Sequence, residues 1–190
     1  MRRATIAFSQ WSRRRKASLI QEFLTREGLR TSGLVGVGGG DEPNGRIVEQ
    51  AVSDLTDVRF GVDLWPRSKA PWPYVMGDAR RLPFADDSCD VLLCNAVIEH
   101  VGGREDQQVL VNEHTRVARA WVITTPNRWF PVESHTATVL RHWSPAWRSR
   151  RTEFTRLLSL REFRALLPHD AVIVGHPWSA TFSAFYARGH

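Results

Sequence analysis

The stretch Gly33-Leu-Val-Gly-Val-Gly-Gly-Gly-Asp41 constrains this chain more than any other. A short apolar run, Leu34 to Val37, breaks into three consecutive glycines, Gly38 to Gly40, and an amphipathic segment with Ile47, Val48, Ala51, Val52 and Leu55 follows. Strand, glycine turn and helix in succession bring backbone N–H groups against a ligand, because glycine alone combines positive φ with close approach. A glycine turn also serves as a plain tight turn, so the rest of the chain decides.

That rest reads as one α/β domain spanning 1–190, long enough for a real core and too short for two. Residues 1–11 read as a loose lead-in, and 12–29 as an N-terminal helix in which Leu19, Ile20, Phe23 and Leu24 recur at helical spacing before Gly28. The cofactor-binding half, 33–126, alternates strands and helices: strands at Leu34–Val37, Val58–Val62, Tyr74–Met76, Asp90–Cys94 and Ala120–Thr124, helices at Gly45–Leu55 and Glu105–Val117, and a helical turn from Ala96 to about Val101. Three prolines exclude regular structure from 64–73. Residues 127–158 lack periodicity and read as a lid over an acceptor. In 159–190, the capping box Ser159-x-x-Glu162 opens a helix, and Ala171–Val174 and Phe182–Ala187 are strands. The alternation predicts a mainly parallel α/β sheet, and the fold expected is doubly wound and Rossmann-like, of about seven strands with an antiparallel last strand.

Composition narrows the setting. At 42% hydrophobic and 24% charged, the chain is that of a globular protein. Arg2 and Arg3 are not followed by the apolar core of a signal peptide, and no run approaches the roughly 18–20 apolar residues of a membrane span. Cys89 and Cys94, if they share one strand, lie about 16 Å apart, beyond disulfide reach. They read as free thiols, and a cytoplasmic location is expected. The net charge of +6 gathers at Arg13-Arg-Arg-Lys16, Arg80-Arg81 and Arg148-Ser-Arg-Arg151. Beside eight tryptophans, this pattern suits a solvated basic face, peripheral contact with an anionic membrane, or nucleic acid.

Ligands of doubly wound sheets sit beyond the carboxyl ends of the strands. Those ends read Gly36–Asp41, Asp63, Gly77-Asp78-Ala79, Asn95 and Pro126-Asn127. Buried carboxylates are costly without partners, so Asp63 and Asp78 at successive ends suit the hydroxyl and amino donors of a nucleoside, although each alone also serves as a turn cap. Asp63 stands 23 residues past Gly40, near the spacing of a ribose-binding carboxylate.

On these residues the sequence resembles the class I S-adenosylmethionine-dependent methyltransferases, in particular the small bacterial type 11 branch. Leu34-Val-Gly-Val-Gly-Gly-Gly40 matches the first motif with one departure: Gly36 stands where the family carries an acidic residue. The block from Gly77-Asp78-Ala79 through Leu82-Pro83-Phe84 and Asp90 to Glu99-His100 matches almost throughout, and Thr125-Pro-Asn-Arg-Trp-Phe-Pro-Val-Glu133-Ser-His135 resembles the segment after the fifth strand. The resemblance implies S-adenosyl-L-methionine as cofactor. It places Gly36, Gly38 and Gly40 against the cofactor backbone, Asp63 with Leu64 at the ribose, Asp78 and Ala79 at the adenine, and Asn95 beside the methionine moiety. Glu99-His100 would border the acceptor.

The implied reaction is methyl transfer to a small-molecule or lipid-like acceptor. His100 and His135 are candidate general bases, since neutral imidazole suits that role near pH 7, although each also suits a purely positioning role. Glu133 and Asn127 are candidates to orient an acceptor. The remaining histidines and the cysteines show no metal-ligand spacing, so no metal is expected. Gly36 leaves open a methyltransferase-like binding or regulatory protein without activity. The basic runs leave open a nucleic-acid methyltransferase, against which Asn95-Ala-Val-Ile lacks the Pro-Pro-aromatic sequence of base amino-group methylases. The aromatic and cationic residues of 127–157 suit either an acceptor cover or a homodimer interface.

Overall fold

In the computed structural model, residues 2–29, 34–37, 58–65, 73–131 and 155–189 are described, together with positions 48, 50, 52 and 54. The chain runs α1 (Arg2–Arg26), β1 (Leu34–Val37), β2 (Val58–Asp63), β3 (Tyr74–Met76), β4 (Cys89–Asn95), α2 (Arg104–Val117), β5 (Ala118–Pro126), α3 (Leu160–Arg164), β6 (Val172–Val174) and β7 (Thr181–Ala187). The strands form one sheet in the order β3-β2-β1-β4-β5-β7-β6. Pairings from β3 through β5 are parallel, and β7 is antiparallel to both β5 and β6.

Adjacent residues of β4 serve opposite layers, as expected for a strand buried on both faces. Leu92 and Cys94 join Trp121, Ile123, Phe163, Phe182 and the α2 residues Leu110 and Val111 in one core. Val91 and Leu93 face the other way, with Ala120, Val122 and Phe185 against Ile20, Phe23 and Leu24 of α1 and with Val48 and Val52.

Helix α1 begins at Arg2, so the expected lead-in over 1–11 is replaced by helix. The segment holds no glycine or proline, and Phe8 stacks on Phe130 with ring centroids 5.6 Å apart, a tertiary support with no local signal. The helix ends where expected: Gly28 takes φ +68°, its N–H donates to the Thr25 carbonyl at 3.2 Å, and Leu29 N–H reaches back to Leu24 at 2.7 Å. Strand β5 extends beyond Ala120–Thr124 in both directions, because β4 pairs with it at Ala118 and β7 pairs with it as far as Pro126. Proline is tolerated there at the strand's last position. The capping box holds: Ser159 Oγ accepts the Glu162 N–H at 3.3 Å, and Glu162 accepts the Ser159 N–H at 2.9 Å. Helix α3 itself stops at Arg164.

Positions 48, 50 and 52 are helical. The rest of the expected helix at Gly45–Leu55, the turn Gly38–Gly40 and most of the 127–158 region lie outside the described residues.

Candidate functional site

The strand order reverses between β1 and β4, which puts the crevice of a doubly wound sheet beyond their carboxyl ends. Register fixes what meets there. Val37 pairs with both Val62 and Cys94, Asp63 with Met76, and Asn95 with Thr124. The residues that end β2, follow β3 and end β4, namely Asp63, Asp78 and Asn95, therefore share one edge.

At the end of β2, Asp63 Oδ1 accepts the Trp65 N–H at 3.2 Å, and Leu64 and Trp65 face solvent. Gly77 follows β3 where no side chain fits, since a Cβ there would stand 2.9 Å from Val62 Cγ1 and 3.3 Å from Pro83 Cδ. Ala79 is buried with Val62 and Leu82 in the core, so its side chain packs the turn.

Asp78 is half-buried and ionised. Arg80 donates through Nε to Oδ1 at 3.0 Å and through Nη2 to Oδ2 at 2.6 Å, and the Arg80 backbone N–H adds 2.8 Å. These hydrogen bonds hold the Asp78 carboxyl below its ordinary range, against the opposing effect of burial. Arg80 Nη1 continues to the Val101 carbonyl at 3.1 Å and to Asp106 at 2.8 Å. Asp106 in turn accepts the Gly103 N–H at 2.9 Å, at the N-terminus of α2.

At the end of β4, Asn95 Oδ1 accepts from Lys16 Nζ at 2.7 Å and from Thr124 Oγ at 2.8 Å. Ala96 then takes φ +57°, a left-handed conformation costing a non-glycine residue about 1–2 kcal/mol. Its N–H donates to the Thr124 carbonyl at 3.1 Å. Glu99 is fully buried: Oε2 accepts from Thr125 Oγ at 3.2 Å, and its backbone carbonyl accepts the Arg156 N–H at 2.7 Å. Burial first, and the Glu99 charge second, push the Cys94 thiol well above its ordinary value, so it is inert as a nucleophile. His100 is half-buried, with Nδ1 3.4 Å from Thr155 Oγ where the chain returns to the core.

Of the residues singled out from sequence, Asp63, Leu64, Asp78, Ala79, Asn95 and His100 lie along this edge and its exit loops, and Gly36 lies within β1, paired with Gly61 and Leu93. Gly38, Gly40, Glu133 and His135 lie outside the described residues. Asn127 is not an acceptor-facing group. It is buried, Nδ2 donates to the Pro177 and Ser179 carbonyls at 2.7 and 2.8 Å, and Oδ1 accepts the Trp129 N–H at 2.9 Å. Among the described residues no group of three or more His, Cys, Asp or Glu is arranged to hold a metal.

Two residues escaped the sequence reading. Arg80 adjoins Arg81 and Lys16 adjoins Arg13–Arg15, runs that in sequence suit a solvated basic face. Lys16 nevertheless stands one turn before Ile20 and two before Phe23 and Leu24, which is the buried stripe of α1.

Residues 37–121 match the family model of a methyltransferase domain, of the type 11 kind. No curated protein matches the sequence. Solved structures with the same fold include an S-adenosylmethionine-dependent methyltransferase from Thermotoga maritima, at 15% identity and TM-score 0.65, covering 98% of this chain and 92% of that one. Another, from Clostridium acetobutylicum, has 10% identity and TM-score 0.62, covering 92% of this chain and 91% of that one. The 1,6-didemethyltoxoflavin N1-methyltransferase of Burkholderia thailandensis, bound to 1,6-didemethyltoxoflavin and S-adenosylhomocysteine, has 16% identity and TM-score 0.55, covering 93% of this chain and 77% of that one.

Proposed function

From the premise that residues 37–121 are a type 11 methyltransferase domain carried on a class I sheet, we propose that the protein is an S-adenosyl-L-methionine-dependent methyltransferase whose acceptor is a small or lipid-like molecule. The single observation that carries this reading is the pair Asp63 and Asp78 at neighbouring strand ends, with Asp78 kept ionised by Arg80.

The residues present fit the cofactor's chemistry. Ribose hydroxyls and the adenine amino group are donors, and the edge offers carboxylate acceptors for both. A carboxylate has about four acceptor sites, so the Trp65 N–H by itself does not exhaust Asp63. Asp78 is already fixed in place by Arg80, which lowers the ordering cost of using it. Asn95 stands at the end of β4 and serves the amino-acid end. Gly36 leaves that end without the family's carboxylate.

The cofactor supplies a methyl group already activated on a sulfonium, so the protein needs no nucleophile of its own. Its tasks are alignment and exclusion of water. His100, next to the buried Glu99 and close to Thr155, is the base proposed to receive a proton from an acceptor hydroxyl, with His135 as the second candidate. A small-molecule acceptor is supported by the 1,6-didemethyltoxoflavin N1-methyltransferase of the same fold, which is bound to 1,6-didemethyltoxoflavin. A cytoplasmic setting is supported by two buried free thiols.

Isothermal titration with S-adenosylhomocysteine tests the reading. Micromolar binding, weakened tenfold or more by Asp63→Ala, is expected. Absence of binding near millimolar ligand, with Asp63→Ala indistinguishable from wild type, sinks it.

A further inference from the structure

One buried amide presents two exposed tryptophans. Asn127 Nδ2 donates to the carbonyls of Pro177 and Ser179, at 2.7 and 2.8 Å, on either side of Trp178, and Oδ1 accepts the Trp129 N–H at 2.9 Å. Trp178 is 74% exposed, more than any other large apolar side chain among the described residues, and Trp129 is 58% exposed. A ring left in water gains little from burial, so the order imposed on the backbone around it serves to fix where the ring is offered.

The aromatic row continues from there. Phe130 stacks on Phe8 with ring centroids 5.6 Å apart, and Phe8 meets Trp11 at 5.8 Å. Phe8 and Trp11 are 39% and 55% exposed, and the Arg15 guanidinium lies over the Trp11 ring, 5.7 Å from its centroid. Trp129 and Phe130 follow the end of β5 at Pro126, and Pro126 pairs with Thr181 just after the Trp178 turn. The row therefore runs along the carboxyl edge of the sheet. Apolar side chains exposed singly are ordinary, whereas a contiguous set of them marks a contact surface.

Charge selects what the surface meets. Residues 1–21 hold six basic residues and no acidic one, which accounts for the whole net charge of +6, since the other twenty basic residues are matched by twenty acidic ones. Arg14 and Arg15 are exposed beside Trp11, and neither has a carboxylate partner among the described residues. The surface thus joins aromatic rings to cations and calls for an anionic counterpart with an apolar layer. Single-stranded nucleic acid would need open ring faces for its bases, and Phe8, Phe130 and Trp178 each have one face covered by another ring. A bilayer asks for no open face: ring bodies enter the boundary between headgroups and acyl chains, while indole N–H and guanidinium groups stay among the headgroups.

We infer that this row is the face by which the protein docks on a bilayer of anionic lipid, with Trp11, Trp129 and Trp178 entering the interface and Arg14 and Arg15 on its phosphates. The inference is independent of the cofactor reading, because it concerns side chains outside the crevice and needs neither cofactor nor acceptor.

Cosedimentation with vesicles tests it, using phosphatidylcholine alone and phosphatidylcholine with about one-third phosphatidylglycerol. Wild-type protein is expected to partition about tenfold more strongly onto the anionic vesicles, and the preference should shrink as salt rises. The double variant Trp11→Ser, Trp178→Ser should lose about tenfold on anionic vesicles, and Arg14→Glu with Arg15→Glu should erase the preference for them. Arg26→Glu with Arg119→Glu makes the same charge change at the end of α1 and the start of β5, away from the row, and should stay within about threefold of wild type. Equal wild-type partition onto both vesicles overturns the inference, as does an equal loss in the distant charge variant. Tight binding to a single-stranded oligonucleotide, or a stable dimer, with vesicles ignored also overturns it. Should the tryptophan variant fail to fold, anionic bilayers carrying bromine on their acyl chains decide with wild type: quenched tryptophan emission is expected, and unquenched emission overturns the inference.

Discussion

Arg80 grips Asp78 through two side-chain nitrogens, Nε at 3.0 Å and Nη2 at 2.6 Å, and with Nη1 it also holds Asp106 at 2.8 Å and the Val101 carbonyl at 3.1 Å. One guanidinium thus couples the loop after β3 to the loop after β4 and to the start of α2. Because it favours the ionised form, Asp78 remains an acceptor further into acid than an ordinary aspartate. Arg80→Met should weaken S-adenosylhomocysteine binding about three- to tenfold at pH 7. The loss should deepen between pH 5 and 4, as the released carboxyl titrates in its usual range, while wild-type binding holds there. Arg80→Lys should rescue little, since an ammonium cannot reproduce the two-pronged contact. Titration calorimetry across pH, with a melting curve at each point, checks this.

Gly77 makes the approach of β3 to β2 possible. A methyl group there would lie 2.9 Å from Val62 Cγ1, and Val62 is buried directly before Asp63. Gly77→Ala should cost about 1–3 kcal/mol of stability through overpacking. Because Val62 and Pro83 must move, it should also weaken cofactor binding at both aspartates, whereas Gly189→Ala, with nothing within 4 Å, should do neither. Urea denaturation together with ligand titration measures the two effects.

What the sequence made legible is what short-range chemistry decides. Strand β3 at Tyr74–Met76, the αL stop at Gly28 and the box between Ser159 and Glu162 each depend on a few neighbouring residues, and the structure has all three. The acidic and amide residues at strand ends were legible because alternation fixes which end of a parallel strand faces the crevice. The burial of charged groups was not. Lys16 and Gln107 look in sequence like solvated positions, and their partners Asn95 and Arg156 lie 79 and 49 residues away. The first half of α1 was illegible for a related reason, as Phe8 meets Phe130 across more than half of the chain.

His114 should make the protein acid-sensitive well above the carboxylate range. Nδ1 donates to the Leu110 carbonyl at 2.8 Å, and Nε2 is buried with no hydrogen-bond partner among the described residues. Burial pushes its pKa down from 6.5 to about 4. The unfolded chain thus binds a proton that the folded chain refuses, so stability is full above pH 6.5 and declines as pH falls toward 4. Linkage gives a loss of about 2 kcal/mol between pH 8 and pH 5. His114→Leu should reduce the loss over that window by about that amount, which chemical denaturation at the two pH values reads directly. An unchanged slope in the variant would show that other groups carry the acid sensitivity.

Gln107 ties the returning chain to the site. Its Nε2 donates to the Ile98 and Arg156 carbonyls, each at 3.0 Å, and its Oε1 accepts from Arg156 Nη1. Arg156 also pairs with Glu162 at 2.9 Å, and its own N–H meets the Glu99 carbonyl at 2.7 Å. A single buried amide on α2 therefore fixes both the turn after β4, which carries Glu99 and His100, and the strand-like segment 155–158 that arrives beside it. Gln107→Leu keeps a similar volume but orphans two carbonyls and one guanidinium N–H, a loss of about 2–4 kcal/mol. The damage should be local as well as global. Amide exchange should accelerate most at Arg156 and His100, whose N–H bonds belong to this junction, and least in β4 and β5, which the sheet holds independently. Exchange that rises uniformly across the sheet would mean that Gln107 only stabilises the core. A rise confined to the junction, with cofactor affinity retained and methyl transfer slowed, would identify it as the residue that positions the acceptor side of the site.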